Sequence, residues 1–264
     1  MGHSKTHWDA HKYSANSAVQ YRIAMAVLAE HAFSGDEAVL DVGCGDGKIT
    51  HQLALRVPKG HVVGIDSSES MIRFAQETHA AQANLSFALK DVTSLRYTNE
   101  FDLAVSTFCL QWVPEKLTAF RGIRNSLRPG GKMILVMPLR NPKIASLRTQ
   151  MTREARWNDY FVDYVDPSDC ADDVQYETYA KTAGFTINSY LIDATSADFN
   201  SVTAFADFLA ALTPHLDRLP GEDEKRAFME ELVSRYLEIM PPTRQKACRA
   251  TYVYVCAKMV ATAK

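Results

Sequence analysis

The sequence predicts an α/β fold, a doubly wound and mostly parallel seven-stranded sheet with an inserted helical lid. Three observations carry this. Short apolar segments alternate with amphipathic ones between residues 38 and 137, a run of glycines follows the first apolar segment, and the alternation stops beyond Pro138. Strand and helix patterns at that spacing are βαβ units, and right-handed crossovers set their helices on both faces of a parallel sheet.

The elements follow in order. Residues 17–32 carry Val19, Ile23, Ala26 and Val27 at helical spacing. Residues 38–42 read as a short buried strand, broken by Gly43-Cys44-Gly45-Asp46-Gly47 and followed by an amphipathic stretch over 49–57. A strand at 61–65 and a helix at 69–79 come next, the latter with apolar Met71, Ile72 and Ala75. Further strands are expected at 85–89 and 101–106, and then a helix near 116–127. Arg128-Pro129-Gly130-Gly131 breaks that helix before a fifth strand at 132–137. Beyond it the rhythm is lost. Residues 140–173 are polar and aromatic, 175–183 read as helix and 185–192 as strand. Residues 201–240 are largely helical, punctuated by Pro214 and Pro220-Gly221, and a strand at 250–259 closes the sheet. The organisation expected is an N-terminal helical lid segment (1–34), an α/β core (35–140), lid insertions (141–174 and 200–245) and segments completing the sheet (175–199 and 246–264).

Composition narrows the class. Of 264 residues 47% are hydrophobic and 23% charged, enough to build a sizeable core. A net charge of -2 gives no global field to recruit nucleic acid or an anionic membrane. Five cysteines, at 44, 109, 170, 248 and 256, are odd in number and lack CxxC spacing, so reduced thiols in a cytoplasmic protein are expected. No apolar run approaches the roughly 20 residues of a membrane span. The polar, His-containing N-terminus has no apolar stretch behind it, unlike a secretory signal.

Val39-Leu40-Asp41-Val42-Gly43-Cys44-Gly45-Asp46-Gly47 is the sharpest signal. A strand running through a glycine-rich turn into a helix lets a ligand approach the backbone closely. Asp66, twenty-five residues after Asp41 and at the end of the second strand, stands where an acid accepts hydrogen bonds from ribose hydroxyls. A dinucleotide fingerprint wants G-x-G-x-x-G, but here Lys48 stands in place of the third glycine and Asp41 closes the strand. A carboxylate there repels a pyrophosphate and suits a cationic amino-acid ligand.

DVGCGDG resembles the first motif of class I S-adenosylmethionine-dependent methyltransferases, whose fold is Rossmann-like. Asp66 in GIDSSESM is similar to the family's ribose-binding acid, Lys90-Asp91-Val92 to its adenine-contacting segment, and Phe101-Asp102-Leu103 and Leu127-Arg128-Pro129-Gly130-Gly131 to its later motifs. The resemblance implies S-adenosylmethionine as cofactor, contacted by Asp41, Gly43, Cys44, Gly45, Asp66, Ser67, Met71, Asp91, Val92 and Thr107.

Tyr13 to Gln20, Phe108 to Val113 and Thr213 to Pro220 are similar to segments of juvenile hormone acid methyltransferases. The first two also resemble malonyl-carrier-protein carboxyl methyltransferases. In that acid-methylating group a Gln of the N-terminal helix and a Trp after the fourth strand hold the substrate carboxylate, which implies those roles for Gln20 and Trp112. The sequence departs at Gln111, where the hormone enzymes usually carry His. A carboxylate, with its ordinary pKa near 4, is already a nucleophile at neutral pH. Indole and amide N–H donors orient it without protonating it, so neither base nor metal is required.

Other readings stand beside these. Gln20 also suits a solvated helix position, Trp112 a core aromatic, and Tyr13 either a lid over the methionine end of the cofactor or a simple anchor. His7, His11 and His215 would supply a base if the acceptor were a hydroxyl, amine or carbon; His215, in the lid, and Trp157 are candidate substrate contacts. Cys109 is read as packing. Trp157, Tyr160, Phe161 and Tyr164, with Phe199, Phe205, Phe208 and Leu212, either roof an apolar pocket or pack the lid. The partner expected is a small-molecule or carrier-linked acid, with no membrane and, lacking a basic stripe, no nucleic acid. A non-catalytic cofactor-binding module is the remaining alternative; nothing in the sequence specifies oligomeric state.

Overall fold

All five residues of β1, Ala38–Val42, are buried. A central strand covered on both faces has no solvent side, so it reads as a continuous apolar run rather than an alternating one. In this computed structural model, which describes residues 9–139, 142–168, 171–241 and 250–264, β1 is flanked in parallel by β2 (His61–Asp66) and β4 (Phe101–Thr107). β3 (Leu85–Leu89) pairs beyond β2 and β5 (Leu127–Pro138) beyond β4, both parallel. With β6 (Phe185–Phe199) and β7 (Ala250–Ala263), which runs antiparallel to β5, the sheet has the order β3-β2-β1-β4-β5-β7-β6. The order reverses between β1 and β4, and the carboxyl ends of such a pair are where an open α/β sheet leaves a ligand crevice.

The helices of the core are α1 (Ala10–Asn16), α2 (Ala18–Ala29), α3 (Lys48–Arg56), α4 (Glu69–Thr78) and α5 (Lys116–Ser126). α4 starts where Ser68 Oγ accepts from Met71 N and Glu69 faces the positive helix end. In the second half of the chain come α6 (Pro142–Met151), α7 (Asp173–Thr182), α8 (Val202–Ala210) and α9 (Glu222–Ile239). Asp172 and Gln175 form a capping box at the start of α7.

Several elements differ from the sequence expectation. Helix α1 has no apolar stripe that announces it, and α6 lies in a segment read as polar and aromatic although Ile144, Leu147 and Met151 stand at helical spacing and are buried. The Pro-Gly-Gly breaker ends α5, but the chain enters β5 at once; a register shift against β4 between Phe101 and Leu103 absorbs the irregularity. β6 runs to Phe199, past the expected end at 192, with Leu191 and Ile192 exposed.

The chain divides into two compact units. The larger comprises residues 7–139, 169–193 and 256–264; its core includes Leu40, Phe101, Phe120, Leu135, Tyr176 and Met259. The smaller comprises, among the described residues, 142–168, 194–241 and 250–255. Two aromatic clusters fill it, Trp157, Phe161 and Phe228 in one and Phe199, Phe205, Phe208, Tyr236 and Tyr252 in the other. Arg235 holds both oxygens of Glu154, at 2.7 and 2.6 Å, and also pairs with Glu231. Cys44, Cys109 and Cys256 are free thiols, whereas Cys170 and Cys248 lie outside the described residues. No helix among the described residues is long and apolar enough to cross a membrane.

Candidate functional site

Where β1 ends, the backbone turns back onto β2: Gly43 N and Cys44 N both donate to Ile65 O, at 2.8 and 2.9 Å. Gly43, Gly45 and Gly47 have φ of +75°, +53° and +79°, the left-handed region that favours glycine. Gly43 is needed twice over, since a Cβ there would stand 2.3 Å from Cys109 Sγ. The thiol is thus a packing element against the turn, and burial pushes its pKa far up. Asp66 stitches the loop from the other side, accepting from Gly45 N at 3.0 Å and Ser68 N at 2.8 Å.

Three acids gather here. Asp41 is 2% exposed and its Oδ2 accepts from Thr50 Oγ1 at 2.8 Å. Burial pushes its pKa up to about 7; the Thr50 hydrogen bond opposes this, and Asp66 and Asp46 add to it. Asp66 is also raised, by burial against three backbone N–H donors. Asp46 is buried and pairs with Lys48 at 3.2 Å, whose Nζ also donates to Ser14 O at 2.5 Å, tying α1 to the loop. Tyr13, on α1, lies over Gly45, and its hydroxyl pKa is pushed far up by burial and then by Asp46 and Asp66. Tyr13, Gln20, Asp41, the glycine loop and Thr107 line one cavity. The void they leave is about 30 Å³, room for roughly two waters.

Gln20 is 6% exposed, lines this cavity, and its Oε1 is buried with no hydrogen-bond partner. Trp112 sits half-buried in a one-turn helix, Leu110–Trp112, after β4 and does not line the cavity. Beside it Gln111 is buried; its Nε2 donates to Phe108 O at 2.7 Å and its Oε1 has no partner. Of the residues that resemblance assigned to the cofactor, Asp41, Gly43, Cys44, Gly45 and Thr107 line the cavity and Asp66 braces it. Ser67 is exposed beside it, and Met71 is buried on α4. Asp91 caps a short helix, its Oδ1 accepting from Thr93 N and Oγ1 at 2.8 and 2.7 Å, while Val92 packs into the core.

His215 and Trp157 belong to the smaller unit. Trp157 is 2% exposed and its indole N–H donates to Glu231 at 3.0 Å, so it is occupied by packing. His215 is 3% exposed, against Tyr164, Phe161 and Phe228. Burial, and then Arg148, lowers its pKa to about 4, with Asp166 opposing. His11 is exposed with its edge against Phe74, and His7 lies outside the described residues. Sequence reasoning did not assign Ser17, Tyr21 or Lys48 to the site, and it used Asp46 only as a loop residue; all four line the cavity. The signal available was the loop itself, in which Asp46 and Lys48 alternate with the glycines. Among the described residues no cluster of three metal-ligating side chains occurs.

Sheet order and glycine loop together define a nucleotide-type ligand site on a Rossmann-like fold. The sequence matches the family described as "Methyltransferase domain" over residues 33–180, more than half of the chain, and the chain belongs to that family; it is a methyltransferase. The 235L protein of Invertebrate iridescent virus 6, named as a methyltransferase, is 30% identical over 233 residues, 88% of this chain and 86% of the relative. The juvenile hormone acid O-methyltransferase of Drosophila melanogaster is 25% identical over 84% of this chain and 80% of its own length. The malonyl-[acyl-carrier protein] O-methyltransferase of Xylella fastidiosa is 30% identical, but over only 47% of this chain and 44% of its own length. Among solved structures, a SAM-dependent methyltransferase of Methanosarcina mazei superposes with a TM-score of 0.54 at 17% identity, covering 87% of this chain and 93% of that one.

Proposed function

We propose that the methyl donor is S-adenosylmethionine and that the acceptor is the carboxylate of a small hydrophobic or acyl-type acid, free or carrier-linked. The carrying observation is Gln20, a buried amide with an unpartnered atom in the same cavity as Asp41, Asp46 and the glycine loop. Names of the acid-methylating relatives agree with it. The residues present fit the cofactor: burial, with Asp66 and Asp46 adding to it, holds Asp41 at about 7, a cost that a cationic amino-acid ligand relieves, and glycines at positive φ allow close approach. When bound beside Asp41, Asp66 and the glycine loop, S-adenosylmethionine would supply a methyl group activated by its sulfonium, ready for transfer to a carboxylate oxygen.

The chain then has to orient, enclose and exclude water. A half-turn of the Gln20 side-chain amide exchanges its oxygen for an NH2, so the buried head presents donors to a carboxylate. Trp112 is proposed as the second donor on its resemblance. Tyr13, already over Gly45, covers the site once the ligand is in place. A base is the weaker reading, because the His215 imidazole, held near 4, is a poor proton acceptor at neutral pH.

The test is incubation with methyl-labelled S-adenosylmethionine and a panel of acids, following label released as methanol by mild base, beside a Gln20→Ala/Trp112→Ala variant. Base-labile label that the variant loses is the expected result. Base-stable label overturns the carboxylate assignment, and failure to bind S-adenosylmethionine overturns the donor.

A further inference from the structure

Next to the cofactor cavity, in the same unit, lies a second cavity of about 330 Å³ between α1, α2, α3 and the residue that follows α4. The groups around it are nearly all donors or bases: Lys48, His51, His79, the Gln52 amide and the Ser14 and Tyr21 hydroxyls. Among the described residues no carboxylate lines it; Asp46 pairs with Lys48 and meets His79 through its backbone carbonyl. The imidazoles of His51 and His79 stack, centroids 4.9 Å apart and planes 18° from parallel. His79 Nε2 is buried with no hydrogen-bond partner. Burial, then His51 and Lys48, keep protons off His79, and Asp46 offsets this only in part.

We propose that this cavity binds a phosphate group, as the free ion or as a small phosphate monoester. Two stacked imidazoles beside an ammonium repel one another when they carry protons, and a dianion in the cavity they line offsets that repulsion. It also gives the orphaned His79 Nε2 its partner. His79, kept short of protons when the cavity is empty, takes one up more readily beside a dianion, so binding and proton uptake are linked. A volume of 330 Å³ falls at the lower end of small-ligand sites, about 300–1,000 Å³, which suits a monoester better than the bare ion. Lys48, Ser17 and Tyr21 line both cavities, so an occupant draws on the lysine that ties α1 to the glycine loop. The proposal does not depend on which acid is methylated.

The full chain is titrated calorimetrically with inorganic phosphate, glycerol phosphate and, as the monoanion control, acetate, at pH 6.5 and 8. The histidine resonances are followed on the same samples, and S-adenosylhomocysteine is titrated alongside. Expected are saturable binding of a phosphate probe, affinity about tenfold weaker at pH 8 than at pH 6.5, and a rise in the His79 pKa on saturation. The His51→Gln variant loses at least about tenfold in phosphate affinity, a difference of roughly 1.4 kcal/mol, and binds S-adenosylhomocysteine like the parent. Which probe binds more tightly separates the ion from the ester. Equal binding of acetate, equal binding by the variant, or no movement of the His79 resonance overturns the proposal. A chain that takes phosphate but not S-adenosylhomocysteine keeps this site and loses the proposed donor.

Discussion

Asp41→Asn isolates the electrostatic load that the glycine loop carries. Asp41 is almost wholly buried, and its pKa stands at about 7 against an ordinary 3.8. A carboxyl with a raised folded-state pKa binds more protons folded than unfolded between those two values. Stability therefore falls as pH rises from about 4 to about 7, and the loss is complete above that. Roughly three units at 1.36 kcal/mol each make about 4 kcal/mol, an upper figure. Asparagine keeps an acceptor for the Thr50 hydroxyl, 2.8 Å away, and removes the charge. The cofactor-free variant is thus expected to be more stable than the parent by roughly 2–4 kcal/mol at pH 8 and about equal at pH 4.5. For a chain of this size that is a Tm difference of about 5–15 °C.

The assay is a thermal melt of both proteins from pH 4.5 to 8.5, with and without S-adenosylhomocysteine. At a hundredfold excess over Kd the ligand stabilises the parent by about 2.7 kcal/mol, and the variant is expected to gain far less. A variant that is less stable than the parent at pH 8, or whose stability falls with pH as steeply, refutes the reasoning. Asp66 is raised in the same direction by burial, so a shallow residual slope in the variant is consistent with it.

Gly43→Ala meets a φ of +75° and a Cβ 2.3 Å from Cys109 Sγ; a loss of roughly 2–5 kcal/mol is expected by denaturant unfolding. Adding Cys109→Gly removes the overlap but not the dihedral strain, so a double-mutant cycle should show about 1–3 kcal/mol of coupling, and strict additivity contradicts the packing role. His215, lowered to about 4 by burial and Arg148, contributes stability that is fully present above pH 6.5 and lost as pH falls toward 4. His215→Phe, which keeps the ring stacked on Phe228, should flatten that acid limb by roughly 2–3 kcal/mol in pH-dependent melts. Tyr13→Ala opens the 30 Å³ void and is expected to speed cofactor association in stopped-flow measurements, with faster dissociation as well; unchanged rates would refute a lid role.

β1 was legible because both its faces are buried and its apolar run is uninterrupted; its bounds coincide with those read from the sequence, as do those of β3, a partly exposed strand. α1 was not, since Ala10-His11-Lys12-Tyr13-Ser14-Ala15-Asn16 offers no apolar stripe and two of its seven residues favour caps over helix interiors. Its reason to be helical is tertiary: Lys48 reaches Ser14 O, and Tyr13 lies over Gly45. Trp157 shows the converse. An indole in an aromatic stretch reads as a pocket wall, and only its hydrogen bond to Glu231 reveals that its donor is spent on packing.

The same contrast separates the cofactor site from the acceptor site. A glycine loop binds with its backbone, so its requirements fall on neighbouring residues and appear as a contiguous motif, with one acid a fixed crossover away. An acceptor is held by side chains from segments far apart in sequence, in the proposed site α2 and the turn after β4, whose identities satisfy several structural roles equally well. Gln20 read as a solvated helix position is as consistent with its neighbours' spacing as Gln20 read as a ligand. Burial breaks that tie, because a solvated amide has water for its oxygen, whereas one that is 6% exposed with its oxygen unpaired carries a desolvation penalty of about 1–3 kcal/mol until a ligand or water meets it. Ranking candidates by what they lack once folded therefore favours Gln20, and next to it Gln111, over Trp157, whose one donor is already satisfied.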